Sequence, residues 1–395
     1  MVQERIYLDY NATVPVKEPV RVAMAQALMN VGNPSSIHAE GRSARAYVET
    51  AREHVAELVG GQARNIVFTS SGTEANNLIL NPHFRYAKDK RTRSHLLMSA
   101  GEHPCVLHGH RFSACDVSII PLLSSGVVHL EALELQCKSL IAQDNDVRLI
   151  VSIQLANNET GVIQPLAHIS DLVHRYKGLV HTDAVQAAGK IPVSMWGLGV
   201  DALTLSAHKI GGAQGVGAVV LATGDLEIGD KLMRGGGQER GARSGTENVA
   251  GIAGFGVAAQ IAFQDLNLKN DNEYQRIQAL RDMCEAHMRE IAPDVRIFGD
   301  DVNRLPNTIC FAVSGMSAAT ALMNFDIEGI ALSSGSACSS GKVKRSHVLE
   351  AMGVDHGLIE GALRISLGWS TRENDIKKYT TVFARLVENI KKRAA

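Results

Sequence analysis

The chain has 395 residues, of which 45% are hydrophobic and 21% charged, so it can bury a large core and form about two domains. Its 40 Lys and Arg residues nearly balance 41 Asp and Glu residues, and the formal net charge of −1 disfavours a broad nucleic-acid surface. No apolar run approaches the roughly 20 residues that span a bilayer, and the first residues lack the pattern of a secretory signal. We expect neither membrane insertion nor secretion.

The six cysteines are scattered and include no Cys-x-x-Cys pair. This spacing fits neither a disulfide framework nor a zinc ribbon, and it favours a reducing compartment. We therefore expect a soluble cytoplasmic protein. The cysteines that we expect to pack in the core are Cys105, Cys115, Cys137, Cys284 and Cys310.

Short apolar runs alternate with amphipathic stretches between about residues 60 and 222. The predicted strands are 66–68, 96–98, 117–120, 149–153, 179–181, 202–205 and 217–221, and helical periodicity marks 44–59 and 169–176. This alternation predicts an α/β fold with a large, doubly wound, mainly parallel sheet covered on both faces.

The pattern changes in the last third of the chain. The apolar, Ala- and Gly-rich segment 249–263 predicts a buried helix, and another helix is predicted at 274–291. Strands at 296–298 and 308–313 then indicate a smaller α+β domain with its own sheet. We predict a large domain over residues 16–262 and a small domain formed by 1–15 together with 263–395.

The turn at 68–77 follows the first predicted strand of the sheet and opens a helix. It is rich in small hydroxyl residues, and the N–H groups of Gly72 and Thr73 suit a phosphate because the helix dipole favours negative charge there. An ordinary Ser/Thr helix cap explains this turn equally well when it is taken alone.

Two further segments end strands of the same predicted sheet. Asp183 follows the strand at 179–181, where a carboxylate can pair with a protonated ring nitrogen and Gln186 can donate to a ring oxygen; a structural Asp is the alternative. Lys209 follows the strand at 202–205, where desolvation can lower its pKa and allow a Schiff base with an aldehyde cofactor. A surface lysine in a glycine-rich turn is the alternative.

A loop at 333–341 contains five serines, two glycines, one alanine and Cys338. Its small side chains leave the backbone many conformations, and a free cysteine is unusual in such a segment. The loop is either an ordinary Ser/Gly connection with an exposed thiol or a mobile arm that carries a thiol to a reaction centre.

A phosphate-binding turn, a strand-end Asp and a strand-end Lys are the anchors that pyridoxal 5′-phosphate needs. With these motifs in this order, the chain resembles the NifS/IscS-type cysteine desulfurases, which are fold type I pyridoxal-phosphate enzymes of the class V aminotransferase superfamily. The resemblance covers nearly the full chain. It rests on 7–13, 32–38, 68–77, 102–104, 157–161, 181–186, 206–209, 235–246, 333–341 and 363–368.

The resemblance implies roles for the matched residues. Lys209 would bind the cofactor covalently and move the proton at the substrate Cα, and the Cys338 thiol would take the sulfur. Asp183 would pair with the pyridine nitrogen, while Gln186 and Asn158 would bind the ring-oxygen region or the substrate. The implied phosphate ligands are Gly72, Thr73, Ser206 and His208.

Three more residues complete the implied site. His103 would stack on the cofactor ring and act in acid–base chemistry, and Arg364 would grip the substrate α-carboxylate with its planar fork. Thr246 would reach the phosphate in the partner subunit's site, which implies an obligate homodimer. His103 also lies near three possible metal ligands, Cys105, His108 and His110, but their spacing matches no usual zinc pattern, so we expect no metal.

The implied activity converts L-cysteine to L-alanine and leaves a persulfide on Cys338. The 26 positions between Cys338 and Arg364 (364 − 338) resemble the long-loop group I pattern. Sulfur-acceptor proteins for iron–sulfur cluster assembly or thiolation are the implied partners, without direct nucleic-acid or membrane contact. The alternatives are a class V aminotransferase and a selenocysteine lyase. A non-catalytic scaffold is the least favoured alternative, because every anchor residue is retained.

Overall fold

The computed structural model describes residues 5–89, 91–268, 272–334 and 345–394. The strands are β1 (Ile6–Tyr7), β2 (Ile66–Thr69), β3 (Phe84–Tyr86), β4 (His95–Ser99), β5 (Val117–Ile120), β6 (Leu149–Ser152), β7 (Leu179–Asp183), β8 (Ala202–Ser206), β9 (Gly217–Leu221), β10 (Leu226–Ile228), β11 (Arg296–Ile297), β12 (Thr308–Ala312), β13 (Ile330–Ala331) and β14 (Leu363–Ser366).

The α-helices are α1 (Glu18–Met29), α2 (Ala39–Val59), α3 (Gly72–Ile79), α4 (Pro104–Leu107), α5 (Leu130–Gln143), α6 (Leu166–Arg175), α7 (Met195–Leu198), α8 (Val249–Leu266), α9 (Glu273–Ile291), α10 (Ala318–Ile327), α11 (His347–Ala351), α12 (His356–Glu360) and α13 (Glu373–Ala394). Short 3-10 helices lie at Ala63–Asn65, Ala114–Asp116, Ala207–Lys209 and Gln238–Gly241.

Seven of the described strands form the central sheet, in the order β2-β9-β8-β7-β6-β4-β5. Strand β9 is antiparallel to both of its neighbours, and the other pairs are parallel. Every residue of β4, β6, β7, β8 and β9 is buried, because helices cover both faces. Leu97 and Val151 face one hydrophobic cluster, whereas Leu96 and Ile150 face another. The predicted α/β class and mainly parallel sheet are confirmed.

Helix α8 packs closely on α1 and α2, and its glycines permit that approach. A Cβ atom at Gly254 would lie 2.6 Å from Met24 Cγ, and one at Gly256 would lie 2.5 Å from Ala51 Cα. By length and composition alone α8 could cross a membrane, but half of it is buried inside the protein. Its apolar composition is explained by this packing.

The C-terminal part contains the antiparallel sheet β11-β12-β14. Strand β1, from the N-terminus, pairs in parallel with β13 of this part in a separate two-stranded sheet. A stack of Phe325, Tyr379 and Phe383 lies in the core of the C-terminal part, with ring centroids 5.2 and 5.9 Å apart. Helix α8 continues to Leu266, so the predicted boundary at residues 262 and 263 falls within its last turns. The division into two domains stays a prediction.

Candidate active site

Lys209 lies just beyond the C-terminal end of β8, in the 3-10 turn that follows it. Its Nζ donates to the main-chain oxygens of Asn11 at 2.6 Å and Ala12 at 2.9 Å. Burial and, to a smaller extent, the charge of Arg364 lower the pKa of Lys209 to about 8, while Asp9 and Asp183 oppose this shift. The neutral, nucleophilic form of this amine is therefore more populated near neutral pH than that of an ordinary lysine.

Asp183 ends the neighbouring strand β7, and its side chain is fixed by two donors. Its Oδ2 accepts from Asn76 Nδ2 at 2.7 Å and its Oδ1 accepts from the Val185 amide at 2.9 Å. Asn76 is itself oriented by the Thr204 hydroxyl, which donates to its Oδ1 at 2.6 Å. Sequence reasoning placed Asn76 in the 68–77 motif but gave it no role; its contacts identify it as the residue that orients Asp183.

The turn before α3 comes close to the ends of both strands. Ser71 caps the helix by accepting from the Glu74 amide at 3.1 Å, whereas the first N–H groups of a helix, here those of Gly72 and Thr73, have no partner within it. A Cβ atom at Gly72 would lie 2.9 Å from Val185 Cγ2 and 3.3 Å from Ser206 Cβ. The structure therefore brings Gly72 and Ser206 together beside the segment that follows Asp183.

His208 contacts the N-terminal segment, with its Nδ1 3.2 Å from Thr13 Oγ1. Burial lowers the pKa of His208 to about 4, and Lys209 adds to the shift. The ring is therefore neutral at physiological pH, so it can contribute a hydrogen bond to an anion but no positive charge.

Arg364 is 5% exposed and extends from β14 toward the same region. Its guanidinium donates to the main-chain oxygen of Asn158 at 2.9 Å and forms an ion pair with Asp9 at 2.7 Å. Its Nε is buried and has no hydrogen-bond partner among the described residues. Asn158 contributes its carbonyl to this contact, and the predicted role of its side chain stays a prediction.

His103 caps the short helix α4 by accepting from the Cys105 amide at 3.2 Å. Its Nδ1 also lies 2.9 Å from Cys105 Sγ. Exclusion of solvent lowers the pKa of His103; Asp183 opposes this shift, and Lys209 and His347 add to it. These couplings place His103 in the same electrostatic site as Asp183 and Lys209.

The cysteine prediction is wrong for Cys115, which is exposed. Cys105 is half-buried: it packs against a hydrophobic cluster and also borders the site, where burial and then Asp183 raise the pKa of its thiol to about 12. A single sequence cannot show that the short helix α4 turns Cys105 toward His103. Cys137, Cys284 and Cys310 are buried, as predicted.

Glu102 is a buried carboxyl group to which the sequence reasoning gave no role. Burial raises the pKa of Glu102 well above the usual range; the hydrogen bond from Gln154 opposes this shift, and the nearby charge of Asp183 adds to it. One oxygen accepts from the Gln154 amide at 2.6 Å and the other has no partner among the described residues. The one indication in the sequence that Glu102 belongs to the site was its position in the matched 102–104 motif.

Two predicted residues are not brought into the site by the described part of the chain. Cys338 lies outside the described residues, but Ser333, five positions before it, pairs with Arg364 through main-chain hydrogen bonds of 2.6 and 3.2 Å. On the other side, Ser346 donates to Glu159, within the 157–161 motif. Thr246 is exposed in the segment before α8, and its role in a partner subunit stays a prediction.

Comparison with known proteins identifies the family to which the chain belongs. The class V aminotransferase family model matches residues 6–379. The chain is 38% identical over 393 residues to the cysteine desulfurase IscS of Dictyoglomus turgidum, covering 98% of this chain and 96% of that protein. It is 36% identical over 395 residues to the IscS-like cysteine desulfurase of Mycobacterium tuberculosis, covering 98% of each.

The structural comparison agrees. The X-ray structure of a NifS-like protein from Rickettsia africae matches with a TM-score of 0.86 at 35% identity, covering 98% of this chain and 100% of that chain. The fold is thus that of the NifS-like proteins, and the predicted resemblance is confirmed. The chain is an enzyme of the class V aminotransferase family and belongs, within it, to the NifS/IscS-type cysteine desulfurases.

Proposed function

We propose that this enzyme converts L-cysteine into L-alanine, with pyridoxal 5′-phosphate bound at the ends of β7 and β8, and leaves the sulfur as a persulfide on Cys338. The observation that carries the proposal is the convergence of Lys209, Asp183 and the α3 N-terminus at one edge of the sheet. Ligands of open α/β sheets bind outside the carboxyl ends of the strands, which is where these three groups lie.

The residues present fit the cofactor. The neutral fraction of Lys209 suits covalent attachment to an aldehyde, and Asp183 is oriented by two donors to hold a protonated ring nitrogen. The N–H groups at the start of α3, which have no partner within the helix, suit the phosphate, and a side chain at Gly72 would crowd Val185 beside them. Bound there, pyridoxal phosphate would supply an electron-accepting ring that stabilises negative charge at the substrate Cα.

Arg364 supports a carboxylate-bearing substrate. Its buried Nε has no partner among the residues that the structure describes, and an unsatisfied donor on a buried cation is costly unless a ligand completes it. The α-carboxylate of an amino acid is a planar acceptor that can share the guanidinium with Asp9. This contact would orient the substrate Cα toward Lys209, which removes and returns the proton there.

The proposed reaction balances. The bond between Cβ and sulfur of L-cysteine breaks, a sulfur–sulfur bond to Cys338 forms, and Cβ gains a hydrogen to give L-alanine. Formation of the sulfur–sulfur bond releases two electrons, and these two electrons reduce Cβ, so no external oxidant is needed. Arg364 pairs with Ser333 ahead of Cys338 in the chain, which supports delivery of this thiol to the substrate region.

The sulfur must then leave the enzyme. We propose acceptor proteins that serve iron–sulfur cluster assembly or thiolation, a homodimer in which Thr246 reaches the other subunit's phosphate, and a cytoplasmic location. The names of the relatives support the acceptor proteins, and the matched 235–246 segment supports the homodimer. The scattered cysteines support the cytoplasmic location.

The test uses enzyme purified with pyridoxal phosphate, incubated with L-cysteine and without any keto acid, and quantifies L-alanine. Alanine formation supports the proposal, whereas alanine that forms only after a keto acid is added identifies an aminotransferase. The same assay with L-selenocysteine distinguishes a selenocysteine lyase, which would discriminate strongly against sulfur.

A further inference from the structure

Lys190 follows β7 by seven residues and is buried, with 5% of its surface exposed. No carboxylate of the described residues forms an ion pair with it. Burial lowers its pKa well below the usual range, and the charges of Lys209 and Arg364 add to this shift. Burying a lysine without a counter-ion costs free energy of folding, which its hydrogen bonds must offset.

Lys190 donates both of its hydrogen bonds to acceptors of the catalytic region. Its Nζ lies 2.7 Å from Gln186 Oε1 and 2.8 Å from Asn11 Oδ1. The carbonyl end of the Gln186 amide faces Lys190 and accepts its hydrogen bond. The other end, Nε2, then donates to the main-chain oxygen of Asn11 at 3.0 Å and retains a second N–H.

Asn11 connects this pair to Lys209. Its main-chain oxygen accepts from Lys209 Nζ at 2.6 Å as well as from Gln186. Its side chain accepts from Asn307 at 3.1 Å and donates to Thr308 Oγ1 at 2.9 Å, both in the C-terminal part. Asn11 is 1% exposed, so water does not substitute for these partners.

We propose that Lys190 is a positioning residue that sets the orientation of the Gln186 amide and of Asn11, and thereby holds a Gln186 N–H and the Lys209 amine in place for the cofactor. The proposal rests on the proposed function, because Gln186 is taken to donate to an oxygen of the bound cofactor ring. It requires that this oxygen be a hydrogen-bond acceptor, since Lys190 leaves only an N–H of Gln186 free to meet it.

The test compares the purified holoenzyme with Lys190→Met, which keeps the length of the side chain but removes its donors. We expect pyridoxal phosphate to bind about tenfold more weakly, as loss of one or two hydrogen bonds predicts. The absorbance band of the bound cofactor should also shift its pH midpoint. For L-cysteine, kcat should fall more than KM changes, because substrate binding by Arg364 is left intact.

Lys190→Arg keeps the donors, and Lys190 lines a cavity of about 40 Å³, so this variant should restore the spectrum at least in part. Phe325→Leu is the matched destabilised control; it loosens the aromatic core of the C-terminal part and should leave the spectrum unchanged. If Lys190→Met does not fold, Lys190→Gln provides a shorter polar replacement for the same measurements.

A double-mutant comparison separates positioning from packing. If Lys190 acts through Gln186, the double variant Lys190→Met/Gln186→Met should shift the spectrum no further than Gln186→Met alone. Additive shifts, or a Lys190→Met spectrum and affinity equal to those of the wild type, would overturn the inference. A wild-type enzyme that binds no pyridoxal phosphate would instead overturn the proposed function.

Discussion

Replacing Arg364 by lysine tests how the enzyme recognises its substrate. The lysine keeps the positive charge but loses the planar fork, so it cannot hold Asp9 and Asn158 and also meet a carboxylate with two N–H groups. The loss of one charge-assisted hydrogen bond corresponds to about 1.5–3 kcal/mol. That range predicts a rise in KM for L-cysteine of about 10- to 150-fold.

The assay is steady-state alanine formation over a range of L-cysteine concentrations, together with the absorbance of the bound cofactor. The absorbance should be unchanged, because Arg364 has no predicted contact with the cofactor. Arg304→Lys is a matched control: the Arg304 side chain is 6% exposed, like that of Arg364, and it donates to the Thr308 carbonyl at 3.4 Å and pairs with Glu285 at 2.9 Å. An unchanged KM in Arg364→Lys, or an equal rise in Arg304→Lys, would refute the reasoning.

Three further predictions test the cofactor site and the packing. Because the pKa of Lys209 is lowered to about 8, its amine loses its proton as the pH rises through this value. The rate at which the enzyme binds pyridoxal phosphate, measured by absorbance, should therefore increase through about pH 8. A rate that does not change from pH 6 to 10 would contradict this. Gly72→Ala places a Cβ 2.9 Å from Val185 Cγ2 and should weaken cofactor binding in a spectral titration. Wild-type affinity in this variant would contradict a phosphate site at the start of α3. Gly256→Ala, with a Cβ 2.5 Å from Ala51 Cα, should lower the free energy of unfolding by about 1–3 kcal/mol in urea, and unchanged stability would contradict the close packing of α8.

Local patterns predicted the elements that carry the anchors. The seven strands of the central sheet are near their predicted positions, since each contains a run of apolar residues and all except the edge strand β5 are buried. Strand β7 extends to Asp183, beyond the predicted end, because Thr182 and Asp183 pair with β8 although both are polar. Helix α2 begins at Ala39 rather than residue 44; His38 caps a first turn that lacks apolar periodicity.

Long-range contacts could not be predicted from the residues alone. Asn76 reaches Asp183 across 107 positions, and Asn11 meets Thr308 across 297. Strands β1 and β13 have two residues each, too few for a periodic signal. These contacts depend on tertiary packing, so the single sequence indicated which motifs matter but not which of their residues orient the others.

The most direct test of the central claim is a single turnover with limiting L-cysteine, followed by mass analysis of the peptide that contains Cys338. The account predicts one added sulfur atom on Cys338 for each L-alanine formed. It also predicts that Cys338→Ser retains the absorbance of the cofactor bound by Lys209 but forms neither product. Full alanine formation by Cys338→Ser, or sulfur found on another cysteine while Cys338 stays unmodified, would contradict it.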